Sequence, residues 1–319
     1  MVTEHCKKEK TLKDRFKKFF KSENCKGYLF VLPWLIGFFL FTLYPFVMSF
    51  TMSFFDWDLF GDRMFIGIKN YVEIFRSEIF HVSLKNTLLY ALFSTLISVL
   101  GGLLTAYILL ARKVSNLILR TIIYLPSLVI GIAFSMMMAP IFDGSEFGLV
   151  NQIFHVFGLG PQKWLSEPGK AVWVLIFMSL WGLGGPMIIF TAAFKNIDQS
   201  ISEAAKIDGA SRLRTLVSIY LPIISPIILY QLFVSLIGGL QVFDLALGLA
   251  TASGTDLHGM GNRNALGTLA YYLYRTGFGG ADAAMGKASA IGWIIFFLTA
   301  IFSIPTMIFI KKSKYYSKD

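Results

Sequence analysis

Six stretches of the chain are apolar almost without a break, near residues 28–50, 86–111, 116–139, 171–194, 221–249 and 286–310. A helix needs about 20 predominantly apolar residues to cross a bilayer, and each stretch reaches that length. The pattern predicts an all-α polytopic membrane protein with six transmembrane helices. Together they take up nearly half of the 319 residues. That leaves room for one membrane domain and none for a separate catalytic one.

The segments between the runs differ in kind. Ala111–Asn116 is short and basic, with Arg112 and Lys113. The segments near 50–85, 142–170 and 251–287 are long, and Trp57, Phe65 and Tyr71 in the first suit the interfacial aromatic belt of a membrane. Gly148–Phe157 reads as a short lid helix, and Tyr271-Tyr272-Leu273-Tyr274 as interfacial anchors or as rings near a pore mouth able to stack on sugars. His81, His155 and His258 each stand alone and carry no assigned chemistry.

The most informative interruption is the polar island Ser200–Pro222 between the fourth and fifth runs. Ser200 and Glu203 have the spacing of a capping box, in which hydroxyl and carboxylate each take a free backbone N–H at a helix start. Glu203, Ala204, Ala205 and Lys206 favour helix, and Gly209 stands where a left-handed stop is needed. Ser211 is placed to cap a second helix running into the fifth span. The prediction is a short helix, a glycine elbow and a second helix that enters the membrane.

Charge refines the topology. The net charge is +10, with only 15% charged residues, 55% hydrophobic residues and a mean hydropathy of +0.63. Basic residues crowd both ends, from Lys7 to Lys26 and at Lys311, Lys312, Lys314 and Lys318, each cluster beside an apolar run. That is the positive-inside pattern, so both termini are expected in the cytoplasm and no nucleic-acid partner is implied. Residues 1–27 read as a basic amphipathic arm, with Leu12, Phe16, Phe19 and Phe20 at helical spacing. The first run is too long for a cleavable signal and reads as a signal anchor, and Cys6 and Cys25 in the arm read as reduced thiols.

Within the spans, small and polar residues mark exceptions. Gly101-Gly102 and Gly131 suit close helix contacts, and Pro126 and Pro140 kink or end the third span. Trp181, Gly182, Gly184, Gly185 and Pro186 weaken the fourth at mid-depth, as a packing kink or a cavity wall. The fifth holds the densest polar stripe: Gln231, Ser235, Gly238, Gly239, Gln241 and Asp244. An acid at mid-membrane costs about 2.5–3.5 kcal/mol, so Asp244 should face a wet interior or a partner, unless it lies at the outer boundary. Gln241 and Asp244, three apart, are expected on one helix face. Trp181, Ser235, Gly239, Gln241 and Asp244 are the candidates for a translocation pathway.

Glu203-Ala204-Ala205, Gly209, Ile219 and Leu221-Pro222, at these spacings, resemble the EAA loop of ABC-importer permease subunits. Phe65–Phe75, FIGIKNYVEIF, and Trp164-Leu165 with Pro168 are similar to segments of the carbohydrate-uptake branch, most like the first permease subunit of the maltose and glycerol-phosphate types. The resemblance implies the type I ABC importer permease fold over residues 28–311, with a cytoplasmic coupling loop at 195–222 and a short tail at 312–319. It implies that Glu203, Ala204, Ala205, Asp208 and Gly209 couple the chain to a cytoplasmic ATPase. The implied partners are a second permease subunit, two ATPase subunits, an extracytoplasmic solute-binding protein and membrane lipids, in a prokaryotic plasma membrane. ATP and Mg would sit on the ATPase, with no cofactor or metal on this chain, and the span after the EAA loop would touch substrate.

The remaining chemistry is negative. The sequence has no G-x-x-x-x-G-K-[S/T] loop, G-x-S-x-G elbow, H-E-x-x-H or CxxC. A transport subunit rather than an enzyme is expected, with a neutral di- or oligosaccharide favoured because no Lys or Arg is placed at mid-membrane. The alternative is a stand-alone carrier or a polytopic enzyme acting on a lipid-linked sugar.

Overall fold

The computed structural model describes residues 23–58, 61, 63–110, 116–129, 131–254, 259–280 and 283–312. The amphipathic pattern at Leu12–Phe20, Cys6, the Arg112-Lys113 connector, His258 and the tail beyond Lys312 lie outside them. The described chain forms two units, one ending at Met52 and one beginning at Ser53.

In the first unit, helix α1 runs through Glu23–Phe38, a π turn at Phe39–Leu43 and Tyr44–Met52. The π turn has a local cause. Pro45 has no N–H and its ring crowds the carbonyl four residues back, and the Tyr44 N–H bonds to Phe39 O, five back. Gly27–Met52 is long and apolar enough to cross a membrane.

The second unit opens with a two-stranded antiparallel hairpin, β1 (Phe55–Asp56) and β2 (Met64–Phe65), in which Phe55 pairs with Phe65. Helix α2 (Lys69–Arg76) follows, and α3 runs through Glu78–Leu96, a π turn at Ile97–Gly101 and Gly102–Leu110. The sequence placed the second span at residue 86, but the helix begins at Glu78. Helix formation needs no apolar side chains, so the polar turns around Ser77–Lys85 extend it beyond the apolar run.

Along α3, Leu92, Leu96, Leu100, Leu104 and Ile108 recur every four residues and are exposed. The adjoining face carries Ala91, Thr95, Val99, Gly102 and Ala106, all buried. Bulky residues outward and small ones inward is the arrangement of helices that pack in lipid, where close backbone approach replaces the hydrophobic effect.

The third apolar run is not one helix. Helix α4 (Asn116–Tyr124) passes into a 3₁₀ turn at Leu125–Leu128 that starts around Pro126, and α5 (Gly131–Met138) leaves at 93° to it. Helix α6 (Leu149–Val156) is the short helix predicted over Gly148–Phe157. Helix α7 combines Lys170–Met178, a 3₁₀ stretch at Ser179–Leu183 and Gly184–Lys195, and the 3₁₀ stretch falls where the Trp-Gly-Gly-Pro cluster was expected to weaken it. After α8 (Gln199–Ile207), α9 runs unbroken through Arg212–Thr215, a π turn at Leu216–Tyr220 and Leu221–Leu240. Helix α10 (Asp244–Ala252), α11 (Leu269–Phe278) and α12 (Met285–Lys312) complete the unit. Among the described residues, five helices are long and apolar enough to cross a membrane, and the bent pair α4–α5 makes a sixth if it is one span.

Two apolar cores hold this unit. The larger includes Phe80, Leu175, Ala246 and Tyr271, and the smaller Val99, Phe190, Phe194 and Ile224. Three buried asparagines pin the loops. Asn70 Nδ2 donates to the carbonyls of Ser53 and Phe55, both at 3.0 Å. Asn151 donates to Asp143, Ser145 and Gln162 carbonyls and accepts from the Trp164 indole at 2.8 Å. Asn86 donates to Ala265 O at 3.1 Å and Gly267 O at 3.0 Å, closing a contact between residues far apart in sequence. Tyr271 and Tyr272, expected as interfacial anchors or pore-mouth rings, are instead buried. The Tyr271 hydroxyl donates to Gly259 O, which explains how a polar ring sits in the core.

Two outcomes follow. Replacing Asn86 by Ala leaves two buried carbonyls unpaired and should lower unfolding stability by about 1–3 kcal/mol, measured as thermal unfolding of the purified chain. Burial pushes the Tyr271 phenol up to about 12, opposed by Arg275. A raised pKa means its contribution is complete below the ordinary value of 10.0 and is lost as pH rises through the folded one. The stability gap between wild type and Tyr271→Phe should therefore narrow between these two values in a pH series of melting curves.

Candidate functional site

The helix that enters the membrane after α8 ends early. Within the fifth apolar run the helix stops at Leu240, Gln241 caps it with φ −109°, and Phe243 precedes a new helix at Asp244. Gln241 and Asp244 therefore do not share a continuous helix face, which corrects the expectation from their spacing. Gly238-Gly239 favour termination at this point. The break frees backbone groups in an apolar setting, and they find partners. Gln241 N–H bonds Gly238 O at 3.2 Å, and the buried Thr268 hydroxyl donates to Val242 O at 2.8 Å.

This break lines a cavity of about 490 Å³. It brings together all five of the predicted pathway residues, Trp181, Ser235, Gly239, Gln241 and Asp244. Gln241 and Asp244 are exposed to it, and Trp181 is half-exposed, its indole stacked on Phe134 at 5.0 Å. Asp244 opens α10, where the unpaired N–H groups and the helix dipole favour negative charge. Gly131 at the start of α5 lies against it: a Cβ there would come within 3.1 Å of the Asp244 Cβ. Among the described residues of this lining, Asp244 is the one that is charged.

Sequence reasoning missed half of the wall. Tyr90, Ser94 and Ser98 line the cavity from α3, and Ser127 and Ser179 from the 3₁₀ stretches. The four-residue spacing of Tyr90, Ser94 and Ser98 was a readable polar stripe. The serines near the 3₁₀ stretches left no such trace, since bends put them there. Gln231, read as part of the pathway face, is instead buried beside it, donating to Ser235 Oγ at 2.9 Å and Ser98 Oγ at 3.3 Å. Ser98 and Ser235 share a 2.8 Å hydrogen bond, so one polar knot joins α3 to α9 at the π turn.

The second predicted site is α8. Its N-cap is Asp198, not Ser200: the carboxylate accepts from the Ser200 N–H at 2.9 Å. With the helix starting at Gln199, Glu203 is too far along to reach back to the cap, and it accepts from Gln199 Nε2 at 2.7 Å. The Ser200 N–H and hydroxyl hold the exposed Asp198 carboxyl below its usual range. The C-terminus forms as predicted. Gly209 has φ +71°, its N–H bonds Lys206 O, and the Ala210 N–H bonds Ala205 O, a Schellman arrangement. Ser211 caps the next helix through the Arg214 N–H. Of the predicted coupling residues, Glu203, Ala204, Asp208 and Gly209 are exposed and Ala205 is buried. Ile207 at the end of α8 is 85% exposed. On its inner side Ser202 Oγ and Tyr220 OH are hydrogen-bonded at 2.8 Å, and Tyr107 OH donates to Arg212 O at 3.0 Å.

Comparison with known proteins gives these residues a family. Residues 98–313 match the family described as binding-protein-dependent transport system inner membrane component. The chain is 35% identical over 301 residues to a protein of Bacillus subtilis (strain 168) named "Probable ABC transporter permease protein YesP", covering 93% of each. It is 29% identical over 290 residues to the arabinooligosaccharides transport system permease protein AraP of the same organism, covering 90% of this chain and 89% of that one. A solved bacterial ABC transporter involved in the import of the acidic polysaccharide alginate has the same fold. That match has a TM-score of 0.77 at 24% identity, over 94% of this chain and 99% of the other.

The helix break can be probed at its two glycines. A Cβ on Gly239 would lie 2.8 Å from the Ala91 Cα, whereas one on Gly238 meets nothing within 4 Å. Gly239→Ala should destabilise by about 1–3 kcal/mol through overpacking. Gly238→Ala should be neutral or stabilising by up to about 1 kcal/mol. Thermal melts of the two variants should thus move in opposite directions, or only the first should move.

Proposed function

The chain belongs to the family of binding-protein-dependent transport system inner membrane components, and within it we propose a defined part: half of the translocation pathway of an ATP-driven sugar importer. The polar cavity between α3, α7 and α9–α10 supports this most directly, since a water-lined hollow is where a broken helix is tolerated within a membrane. In this reading the bent pair α4–α5 is one span, so that six spans leave both termini on one side. The basic residues beside the first and last runs make that side the cytoplasm of a prokaryotic cell. A second permease subunit supplies the other half of the pathway, and an extracytoplasmic binding protein delivers the substrate.

The substrate is a neutral di- or oligosaccharide. Serine and tyrosine hydroxyls, Gln241 and Asp244 offer donors and acceptors for sugar hydroxyls, and Trp181 an aromatic face for C–H bonds. A carboxylate with no cation in the same lining disfavours an anionic sugar. The arabinooligosaccharide relative agrees with this class, while the alginate transporter shares the fold at lower identity.

This chain hydrolyses nothing and needs no cofactor. ATP and Mg act on two partner ATPase subunits, whose closure moves α8. Exposed Glu203, Ala204, Asp208 and Ile207 form the docking face, while buried Ala205 and the Ser202–Tyr220 and Tyr107–Arg212 bonds carry the motion into α9 and α3. The helix must keep its shape under load, which its firm caps at Asp198 and Gly209 provide.

The test is affinity purification of the tagged chain in mild detergent, with mass spectrometry of what accompanies it. Wild type should bring an ATPase and a second permease. Glu203→Lys reverses a charge on the docking face, and Gly209→Val forces a β-branched residue to φ +71°, a strain of about 1–2 kcal/mol. Both should lose the ATPase while keeping the second permease. Recovery of the chain alone, indifferent to either change, would remove the importer reading. Asp244→Asn should retain the assembly and lower transport of the sugar that wild type carries.

A further inference from the structure

A second cavity, also about 490 Å³, opens at the end of the bundle where α3 and α7 stop and α9 begins. Its lining holds Lys195, the last residue of α7, Lys206 from α8, and Arg212, the first residue of α9. No carboxylate lines it among the described residues, and none of the three cations is in an ion pair there. Glu203 and Asp208, the acids nearest Lys206 in sequence, are exposed and absent from this lining, and Glu203 accepts from Gln199 Nε2. The apolar walls are Tyr107, Phe194 and Tyr220.

Three like charges gathered in one hollow repel one another unless an anion joins them. We infer that this cavity binds the phosphate headgroup of an anionic glycerophospholipid. Its depth fits, because it lies where the apolar helices end and the headgroup layer begins, whichever leaflet that is. Its chemistry fits as well: a guanidinium and two ammonium groups suit phosphate oxygens. Basic pockets between spanning helices are a known form of such recognition. The aromatic walls suit the glycerol and first methylenes, which a free phosphate lacks. A lipid held here touches α7, α8 and α9 together, so it braces α8 at the same place as the Ser202–Tyr220 bond. The inference requires that the apolar helices span a membrane, and neither the sugar nor the ATPase assignment.

The full chain, purified in mild detergent with whatever subunits accompany it, is examined by native mass spectrometry and thermal unfolding. Phosphatidylglycerol, phosphatidylcholine or inorganic phosphate is added in separate arms. Phosphatidylglycerol should be retained about tenfold over phosphatidylcholine and should raise the melting temperature, and phosphate alone should not. Lys195→Gln with Arg212→Gln should abolish the preference, while Arg212→Lys keeps most of it and so separates charge from folding. Melting of the double variant in phosphatidylcholine, unchanged from wild type, shows that it is folded. If it is not, Lys206→Gln alone serves, with a several-fold loss of preference expected. Equal retention of the two lipids, a preference that survives the charge removal, or a phosphate arm that reproduces the whole shift would each overturn the inference.

Discussion

A peptide group left unpaired in hydrocarbon costs several kcal/mol, and the places where this chain breaks its helices are organised around avoiding that cost. The clearest case is Gln241–Phe243, between α9 and α10. The chain leaves helical geometry there in the middle of an apolar run, and the Thr268 hydroxyl takes the Val242 carbonyl. Thr268 in turn caps α11 through the Tyr271 N–H, and Leu269 N–H bonds Thr87 on α3. One buried threonine thus joins the break, the helix that supports it and, through its neighbour, the helix across the cavity. Milder departures are absorbed within helices, as π turns at Phe39–Leu43, Ile97–Gly101 and Leu216–Tyr220 and as 3₁₀ turns in the fourth span.

The same constraint makes the cavity. An unbroken fifth span would point Gln241 and Asp244 along one face of a rod. In this chain helical geometry lapses at Gln241–Phe243, and Gln241 and Asp244 line a hollow that Tyr90, Ser94 and Ser98 of α3 also line. The outward face of α3, by contrast, is given to Leu92, Leu96, Leu100, Leu104 and Ile108. The Ser98–Gln231–Ser235 knot holds the two walls at a fixed spacing. Buried hydrogen-bond networks of this sort specify register as well as stability.

Helix α8 has the opposite problem, being short and polar in a chain whose stability comes from apolar contact. An isolated nine-residue helix is marginal in water. Here both ends are capped, one face is packed at Ala205, and two tyrosine hydroxyls tether it and the start of α9. What it leaves exposed is Glu203, Ala204, Lys206 and Ile207, with Asp208 at its C-cap.

Much of this was legible in the residues themselves. The apolar runs, the glycine stop at Gly209, the Ser211 cap, the weakened fourth span and all five cavity candidates follow from local rules about side-chain length, periodicity and backbone freedom. Those rules depend only on neighbours in sequence. The cap at Asp198 was missed, although it too is local: its carboxylate takes the Ser200 N–H, so the helix begins two residues earlier than the Ser200–Glu203 pattern implied. The break at Gln241, the burial of Tyr271, the role of Asn86 and the serines of the 3₁₀ stretches were decided by tertiary structure. Each depends on a partner far away in the chain, Thr268, Gly259, Ala265 or the facing helix, and a polar group's cost is settled only by what it meets.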